Sequence, residues 1–189
     1  MPYNRIIIVD GYSTDDTVKI AKKYGCDIHY CKGKLGTARN LLMKLAETEW
    51  FAFIDSDIMI NKEWLSKLVS SIDIYTGAIN GFGLPDSLLL SNFRKAMLLA
   101  KLKFGIKQRG FTSNTLIRKE AIDGVRIPDL KRTEDIVLQQ EIEKRHWRWR
   151  MAPAWCIHMK TGMQILHEAY GDFFQIAKRE VYLKAFTRL

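Results

Sequence analysis

An alternation of apolar strands and helices in residues 6–72 is the feature that most constrains the fold. Ile6–Val9 and Trp50–Ile54 are continuous apolar runs, typical of strands buried on both faces of a sheet, and Asp27–Cys31 is a third short strand between them. The predicted helices cover residues 14–23, 37–48 and 61–72. This order predicts an α/β fold in which helices flank a mostly parallel central sheet.

The second half of the chain is less regular, and we expect both strands and helices in it. They are a strand or loop at Ile79–Leu84, a basic amphipathic helix at Asn92–Phe104, a strand at Thr112–Ile117 with a short helix after it, a helix from Glu134 to about Lys144 capped by Thr133, a strand region at Trp147–Met159 and a terminal helix at Gln164–Phe186. No repeat or linker interrupts the chain, so we expect residues 1–189 to form one domain.

Positive charge is concentrated in one stretch of the chain. There are 30 Lys and Arg against 21 Asp and Glu, giving a formal net charge of +9, and no acidic residue lies within 87–119. This concentration of positive charge favours the binding of a polyanion, which could be a phosphorylated ligand, an anionic membrane surface or nucleic acid. A solvated basic helix face is the alternative. The chain has no recognised nucleic-acid motif, so we do not expect a nucleic-acid partner.

The helix at 92–104 places Phe93, Met97, Ala100 and Phe104 on one face. That face would lie on a membrane surface if it is exposed, and in the core otherwise. No apolar run approaches the ~20 residues that span a bilayer, and no signal peptide is expected. The three cysteines have no metal-ligand spacing and suggest reduced thiols. We therefore predict a cytoplasmic protein, with peripheral membrane contact left open.

Acidic residues follow two of the predicted strands. Asp10 follows the strand Ile6–Val9, and Asp55-Ser56-Asp57 follows the strand Trp50–Ile54. Ligands bind at the carboxyl ends of the strands in open α/β sheets. Carboxylates there make a hard oxygen site suited to Mn²⁺ or Mg²⁺. The alternative is an ordinary turn before a helix, where Asp and Ser are common.

Other candidates lie in loops and at helix starts. Glu134-Asp135 is either a general base or an acidic first turn that complements the helix dipole. His158 follows the last predicted strand and is either a metal ligand or structural. Lys34 and Arg39 belong to a glycine-containing turn into a helix, an arrangement that can hold an anion at the helix N-terminus.

Together these segments resemble the family 2 glycosyltransferases, which have the GT-A fold. The matching blocks, in the family's order, are Val9–Thr17, Gly36–Asn40, Phe53–Asp57, Gly110–Ile122 and Thr133–Asp135. Family members usually begin with a further strand and helix, whereas only Pro2-Tyr3-Asn4 precedes the first strand here. The chain therefore resembles a short form that lacks the usual first strand, either because it is a reduced member or because its N-terminus is missing.

The resemblance implies a role for each residue on the donor side. Asp10 would contact the nucleobase, Arg39 would lie near the nucleotide, and Asp55 would face the ribose. Asp57 would coordinate the Mn²⁺ or Mg²⁺ that bridges the diphosphate, and His158 falls where some GT-A enzymes place a further metal ligand. The donor would be a nucleotide sugar, such as a UDP- or GDP-sugar.

On the acceptor side the resemblance implies that Asp135 is the base of an inverting, metal-dependent transfer to a hydroxyl, with Glu134 supporting either this base or the acceptor. Residues 1–80 would form the nucleotide-sugar donor half, and 81–189 the acceptor half with the C-terminal helix. The acceptor is open among a lipid phosphate, a glycan and a protein. The alternative function is a polyanion-binding module without catalysis, which would use the basic stretch 87–119.

Overall fold

The computed structural model describes residues 5–85, 88–107 and 109–159. The elements in chain order are β1 (Ile7–Asp10), α1 (Thr17–Lys23), β2 (Asp27–Tyr30), α2 (Leu35–Leu45), β3 (Trp50–Ile54), β4 (Ile58–Ile60), α3 (Trp64–Val69), β5 (Thr76–Pro85), α4 (Leu88–Lys103), β6 (Asn114–Arg118), a 3₁₀ helix (Glu120–Ile122), α5 (Glu134–Lys144) and β7 (Arg148–His158). The predicted helix Gln164–Phe186 lies outside the described residues.

The strands form two sheets. β1 and β2 pair in parallel, and the other five strands form a sheet in the order β3-β6-β5-β7-β4. The α/β class is confirmed. The expected parallel pairing is found at β1–β2 and β5–β7, whereas the larger sheet is mixed, because its β3–β6, β5–β6 and β4–β7 pairs are antiparallel. The physical reason is that each antiparallel pair joins strands that lie far apart in the sequence, and no local pattern reports the relative direction of such strands.

The larger sheet is buried on both faces. Ala78 and Ile117 pack on one face, and their neighbours Ile79 and Leu116 pack on the other, as the alternation of side chains along a strand requires. The first cluster also contains Phe53, Leu138 and Ile142, and the second contains Trp64, Leu68 and Ala154. Helix α5 therefore covers one face and α3 the other, which explains why these strands are continuous apolar runs.

Helix α4 leaves its predicted apolar face in solvent. Phe93 is 72% and Phe104 is 74% exposed, and Met97 is also exposed, whereas Leu98 on another face is buried. This is the arrangement that the surface-lying alternative requires, and membrane contact stays a prediction. None of the helices in the described ranges is both long enough and apolar enough to cross a membrane.

Helix α2 is fastened to the loop that leads into α5. The Gly36 backbone nitrogen donates to the Leu130 carbonyl oxygen at 2.9 Å. One turn later the Asn40 amide donates to the Ile127 carbonyl oxygen at 2.7 Å, and its oxygen accepts from the Ile127 nitrogen at 2.9 Å. A Cβ on Gly36 would overlap the Pro128 carbonyl oxygen. The absence of a side chain at Gly36 is therefore what allows the helix and the loop to touch.

The first prediction concerns this contact. Gly36→Ala should lower the free energy of unfolding by about 1–3 kcal/mol, because backbone atoms have no flexible side-chain end that can move aside. Urea denaturation measures the effect. Gly11→Ala is the matched control, since nothing lies within 4 Å of its added Cβ. Equal stabilities for the two variants would show that the helix and the loop are not tightly joined.

Candidate active site

A cavity of about 460 Å³ brings several of the predicted residues together. Asp55 and His158 line it from the ends of β3 and β7. Glu134 and Asp135 line it from the start of α5, and Arg109 from the loop before β6. Side chains that lie up to 103 positions apart in the sequence, from Asp55 to His158, thus border one space.

The Asp55-Ser56-Asp57 segment is a tight turn between β3 and β4. The Ile58 nitrogen donates to the Asp55 carbonyl oxygen at 3.1 Å, which closes the turn. The Asp55 nitrogen donates to the Ser113 carbonyl oxygen, and the Met159 nitrogen donates to the Asp57 carbonyl oxygen, each at 2.9 Å. Two neighbouring segments therefore fix the backbone that carries both carboxylates.

Asp57 and His158 form the pair that could hold a metal ion. Asp57 Oδ2 lies 3.2 Å from His158 Nε2, and both side chains are partly exposed. Within 5–85, 88–107 and 109–159, no group of three or more His, Cys, Asp or Glu converges on a metal position. A hard divalent ion often uses one or two carboxylates and takes its other ligands from water and substrate phosphates. The pair therefore fits Mn²⁺ or Mg²⁺ bound together with a diphosphate.

Arg39 and Asp55 form a partly buried ion pair, in which the Asp55 side chain is 35% exposed. The Arg39 side chain is 5% exposed, and its Nη2 donates to Asp55 Oδ1. The guanidinium also lies over the Phe53 ring, 4.6 Å from the ring centroid. Removing one partner of a buried ion pair leaves an uncompensated charge and is strongly destabilising. Arg39 thus positions Asp55, and its predicted proximity to a nucleotide stays a prediction.

Glu134 and Asp135 are both buried, yet their surroundings differ. The Thr112 hydroxyl donates to Glu134 Oε1 at 3.0 Å. Burial, and then the charge of Asp135, raise the pKa of Glu134 above its usual value. Asp135 instead accepts from Arg109 Nη2, which lies 2.9 Å from each carboxylate oxygen. Two adjacent carboxylates in such different environments are suited to different protonation states.

Thr133 precedes α5 as predicted, but it does not cap the helix with its side chain. Its hydroxyl donates to the Arg132 carbonyl oxygen at 2.6 Å, and its φ of 63° is left-handed. A β-branched residue is strained in this region, and such strain is concentrated at functional sites. Here the strained residue directly precedes the two carboxylates that line the cavity.

Of the predicted residues, Asp10, Lys34, Arg39 and Asp57 are not among those that line the cavity, and Asp57 is joined to it through its contact with His158. Asp10 is buried; its Oδ1 accepts from the Ser13 hydroxyl at 2.6 Å and its Oδ2 from the Ser13 nitrogen at 2.9 Å, and these bonds lower the pKa of its carboxyl group. The Lys34 nitrogen donates to Asp129 Oδ1 at 2.8 Å, at the start of α2. Asp10 and Lys34 therefore stabilise loops, and their donor-binding roles stay predictions.

Arg94, Arg109 and Thr112 line the cavity and were not among the sequence candidates. Arg94 and Arg109 belong to the basic stretch, where charge alone marks them, and Thr112 was assigned only to a strand. Their positions depend on how α4 and the loop before β6 fold back over the sheet. No local motif carries that information.

The sequence profile of Glycosyl transferase family 2 matches residues 2–124 of the 189. The chain belongs to this family. The match includes the turn that carries Asp55 and Asp57, and it ends before Glu134-Asp135.

Two bacterial relatives of this family 2 chain match it over part of their length. It is 33% identical over 109 residues to poly(ribitol-phosphate) beta-N-acetylglucosaminyltransferase TarS from Staphylococcus aureus (strain Mu50), covering 50% of this chain and 19% of that one. It is 44% identical over 73 residues to the SPbeta prophage-derived glycosyltransferase SunS of Bacillus subtilis (strain 168), covering 35% of this chain and 17% of that one. The matched segments therefore span less than a fifth of either relative.

Solved structures show the fold. Glucosyl-3-phosphoglycerate synthase from Mycobacterium tuberculosis, in complex with Mn²⁺, UDP-glucose and phosphoglyceric acid, superposes with a TM-score of 0.61 at 15% identity, covering 86% of this chain and 63% of that one. The complex of the same enzyme with Mn²⁺, UDP and phosphoglyceric acid gives a TM-score of 0.63 at 15% identity, covering 87% and 63%. The family 2 chain has the GT-A fold, as its sequence predicts.

The second prediction concerns the protonation of Glu134. A folded-state pKa raised by burial means that folding favours the protonated carboxyl, so this contribution to stability is present at low pH and lost as the pH rises through the folded pKa. Glu134→Gln should therefore be more stable than the wild type at about pH 7, and the difference should shrink toward about pH 4, near the pKa of an unfolded Glu. Urea denaturation at both pH values measures it.

Glu120→Gln is the control, because it makes the same change of charge at an exposed position. If Glu134→Gln is no more stable than the wild type, or if the gain in the free energy of unfolding does not depend on pH, the assignment of a buried carboxylate is contradicted.

Proposed function

We propose that the protein transfers a sugar from a nucleotide-diphosphate donor to an acceptor hydroxyl, in a metal-dependent reaction that inverts the anomeric centre. One observation carries this proposal. A single cavity is bordered by Asp55 and His158 on the side expected for the donor and by Glu134 and Asp135 on the side expected for the acceptor. Membership of family 2 and the complexes of the structural neighbour with Mn²⁺ and UDP-glucose support it.

The donor would bind at the Asp57–His158 pair. These side chains would hold Mn²⁺ or Mg²⁺, and the ion when bound would stabilise the negative charge that builds on the departing diphosphate. Asp55 would face the ribose, in the orientation that Arg39 fixes through its partly buried ion pair. UDP is the nucleotide we favour, and GDP is the alternative.

Asp135 would act as the general base. Its carboxylate accepts a proton from the acceptor hydroxyl as that oxygen bonds to the anomeric carbon, while the bond from this carbon to the diphosphate oxygen breaks. Oδ1 of Asp135 accepts from both Arg109 Nη2 and the Ile136 nitrogen, so Oδ2 would be the oxygen that meets the acceptor hydroxyl. The Thr112 hydroxyl holds Glu134 in place, and Glu134 would support Asp135.

The exposed apolar face of α4, flanked by lysines, supports our proposal of peripheral membrane contact, and a cytoplasmic location stays a prediction. A polyanion-binding module without catalysis is the competing function. It would use the same basic helix and would not need the carboxylates, so the two variants described next separate the two functions.

The third prediction tests the donor site. Asp57→Ala should weaken UDP binding in the presence of Mn²⁺ by more than the roughly tenfold cost of losing an outer-shell partner of a metal ion. Calorimetric titration of UDP with Mn²⁺, and again with a chelator, measures the loss. Asp123→Ala, at an exposed turn, is the control that should bind as the wild type does. Unchanged, Mn²⁺-dependent binding by Asp57→Ala would remove Asp57 from the site.

The fourth prediction tests the base. Asp135→Asn keeps the shape of the side chain but removes the carboxylate, so UDP release from UDP-glucose or UDP-N-acetylglucosamine should slow by roughly 100- to 10,000-fold. Affinity for UDP should stay within about twofold, because the donor pair is untouched. Glu141→Gln, two turns along the same helix, is the matched control. An Asn variant with wild-type turnover would show that Asp135 is not the base.

A further inference from the structure

The wall of the cavity around Asp135 is rich in cations. The basic residues that line it are Arg94, Arg109, Lys131 and Arg132. The carboxylates that line it are Asp55, Glu134 and Asp135. Asp55 is already compensated by Arg39, and the pKa of Glu134 is raised by burial, so the lining carries an excess of positive charge. A net positive, partly enclosed wall concentrates anions.

Arg94 has donor capacity that the protein does not use. It lies on α4 and is partly buried, and its Nε is buried with no hydrogen-bond partner. A buried donor left in that state costs free energy unless a ligand satisfies it. A guanidinium offers its donors in a planar fork that matches a phosphate or carboxylate group. Arg94 lines the cavity and so brings a guanidinium to the space in which an anion would bind.

Arg109 places a second guanidinium beside the expected base. Its Nη2 lies 2.9 Å from both oxygens of Asp135, and its guanidinium lies over the Phe111 ring, 5.2 Å from the ring centroid. The reacting hydroxyl must come within hydrogen-bond reach of the base. An anionic group on the same acceptor molecule would therefore lie close to Arg109. The donor diphosphate is expected at the Asp57–His158 pair instead.

We propose that Arg94 and Arg109 bind a phosphate group of the acceptor, which makes the acceptor a phosphorylated hydroxyl compound such as a polyol phosphate. This inference rests on the proposed function and names the acceptor class for that same site. Lys131 and Arg132 extend the positive wall and strengthen the local field. Helix α4 thus contributes to substrate recognition through Arg94.

The arrangement also couples acceptor binding to the base. In the structure both oxygens of Asp135 accept from Arg109. A phosphate that accepts from Arg109 competes with this ion pair, which leaves the Asp135 carboxylate more available to the acceptor hydroxyl. A neutral hydroxyl compound, or water, lacks this effect. The same contact would therefore select the phosphorylated acceptor and reduce wasteful hydrolysis of the donor.

The test compares matched acceptors on the whole chain. Calorimetric titrations in the presence of UDP and Mn²⁺ use glycerol and ribitol as neutral probes, with sn-glycerol 3-phosphate and ribitol 5-phosphate as phosphomonoesters. Glycerophosphoglycerol provides a phosphodiester arm, which distinguishes a link in a polymer from a free phosphate. Arg94→Gln removes the charge from the wall, and Lys103→Gln removes one from an exposed position of the same helix. UDP affinity is measured for every variant.

We expect a phosphorylated probe to bind the wild type at least about tenfold more tightly than its neutral partner, and Arg94→Gln to abolish most of this difference. Lys103→Gln should keep it, and UDP affinity should stay within about twofold in both variants. Equal binding of neutral and phosphorylated probes would overturn the inference while intact Mn²⁺-dependent UDP binding keeps the proposed function. A parallel loss of UDP affinity in Arg94→Gln would assign Arg94 to the donor and also overturn it.

Discussion

The ion pair between Arg39 and Asp55 is the interaction on which the site depends. It joins helix α2 to the end of β3, and its guanidinium is almost wholly buried. The charge of Arg39 also lowers the pKa of Glu134, against the larger effect of burial, so this guanidinium acts on both sides of the cavity. A buried guanidinium cannot lose its charge, and it therefore requires a carboxylate partner. The orientation of Asp55 follows from that requirement.

The position of Arg39 depends in turn on the contact of α2 with the loop before α5. Gly36 allows the close approach, and Asn40 fixes the register by bonding both backbone groups of Ile127. The Thr37 hydroxyl adds a bond of 2.6 Å to Asp129. The position of Arg39 thus depends on contacts between two segments that lie far apart in the sequence.

The sequence predicts the α/β class, because apolar runs and helix periodicity are local signals. The same signals predict the strand β3 at Trp50–Ile54 and the helix α5 at Glu134–Lys144. The antiparallel pairs of the larger sheet could not be predicted, since strand direction depends on long-range pairing. The short strand β4 was hidden because its three residues follow directly after the Asp55–Asp57 turn.

Some residues of the site could likewise be predicted from the sequence, and others could not. Asp55, His158, Glu134 and Asp135 were found through motifs and do line one cavity. Arg94 and Arg109 were visible only as part of a basic stretch, because their role depends on where α4 and the following loop cross the sheet.

The most direct measurement is a crystal structure of the chain with UDP and Mn²⁺, using the anomalous scattering of manganese to locate the ion. We predict one manganese peak in contact with Asp57 Oδ2 and His158 Nε2, with the diphosphate bound to the ion and the cavity open toward Asp135. A manganese peak away from these two side chains, or UDP bound outside this cavity, would contradict this prediction.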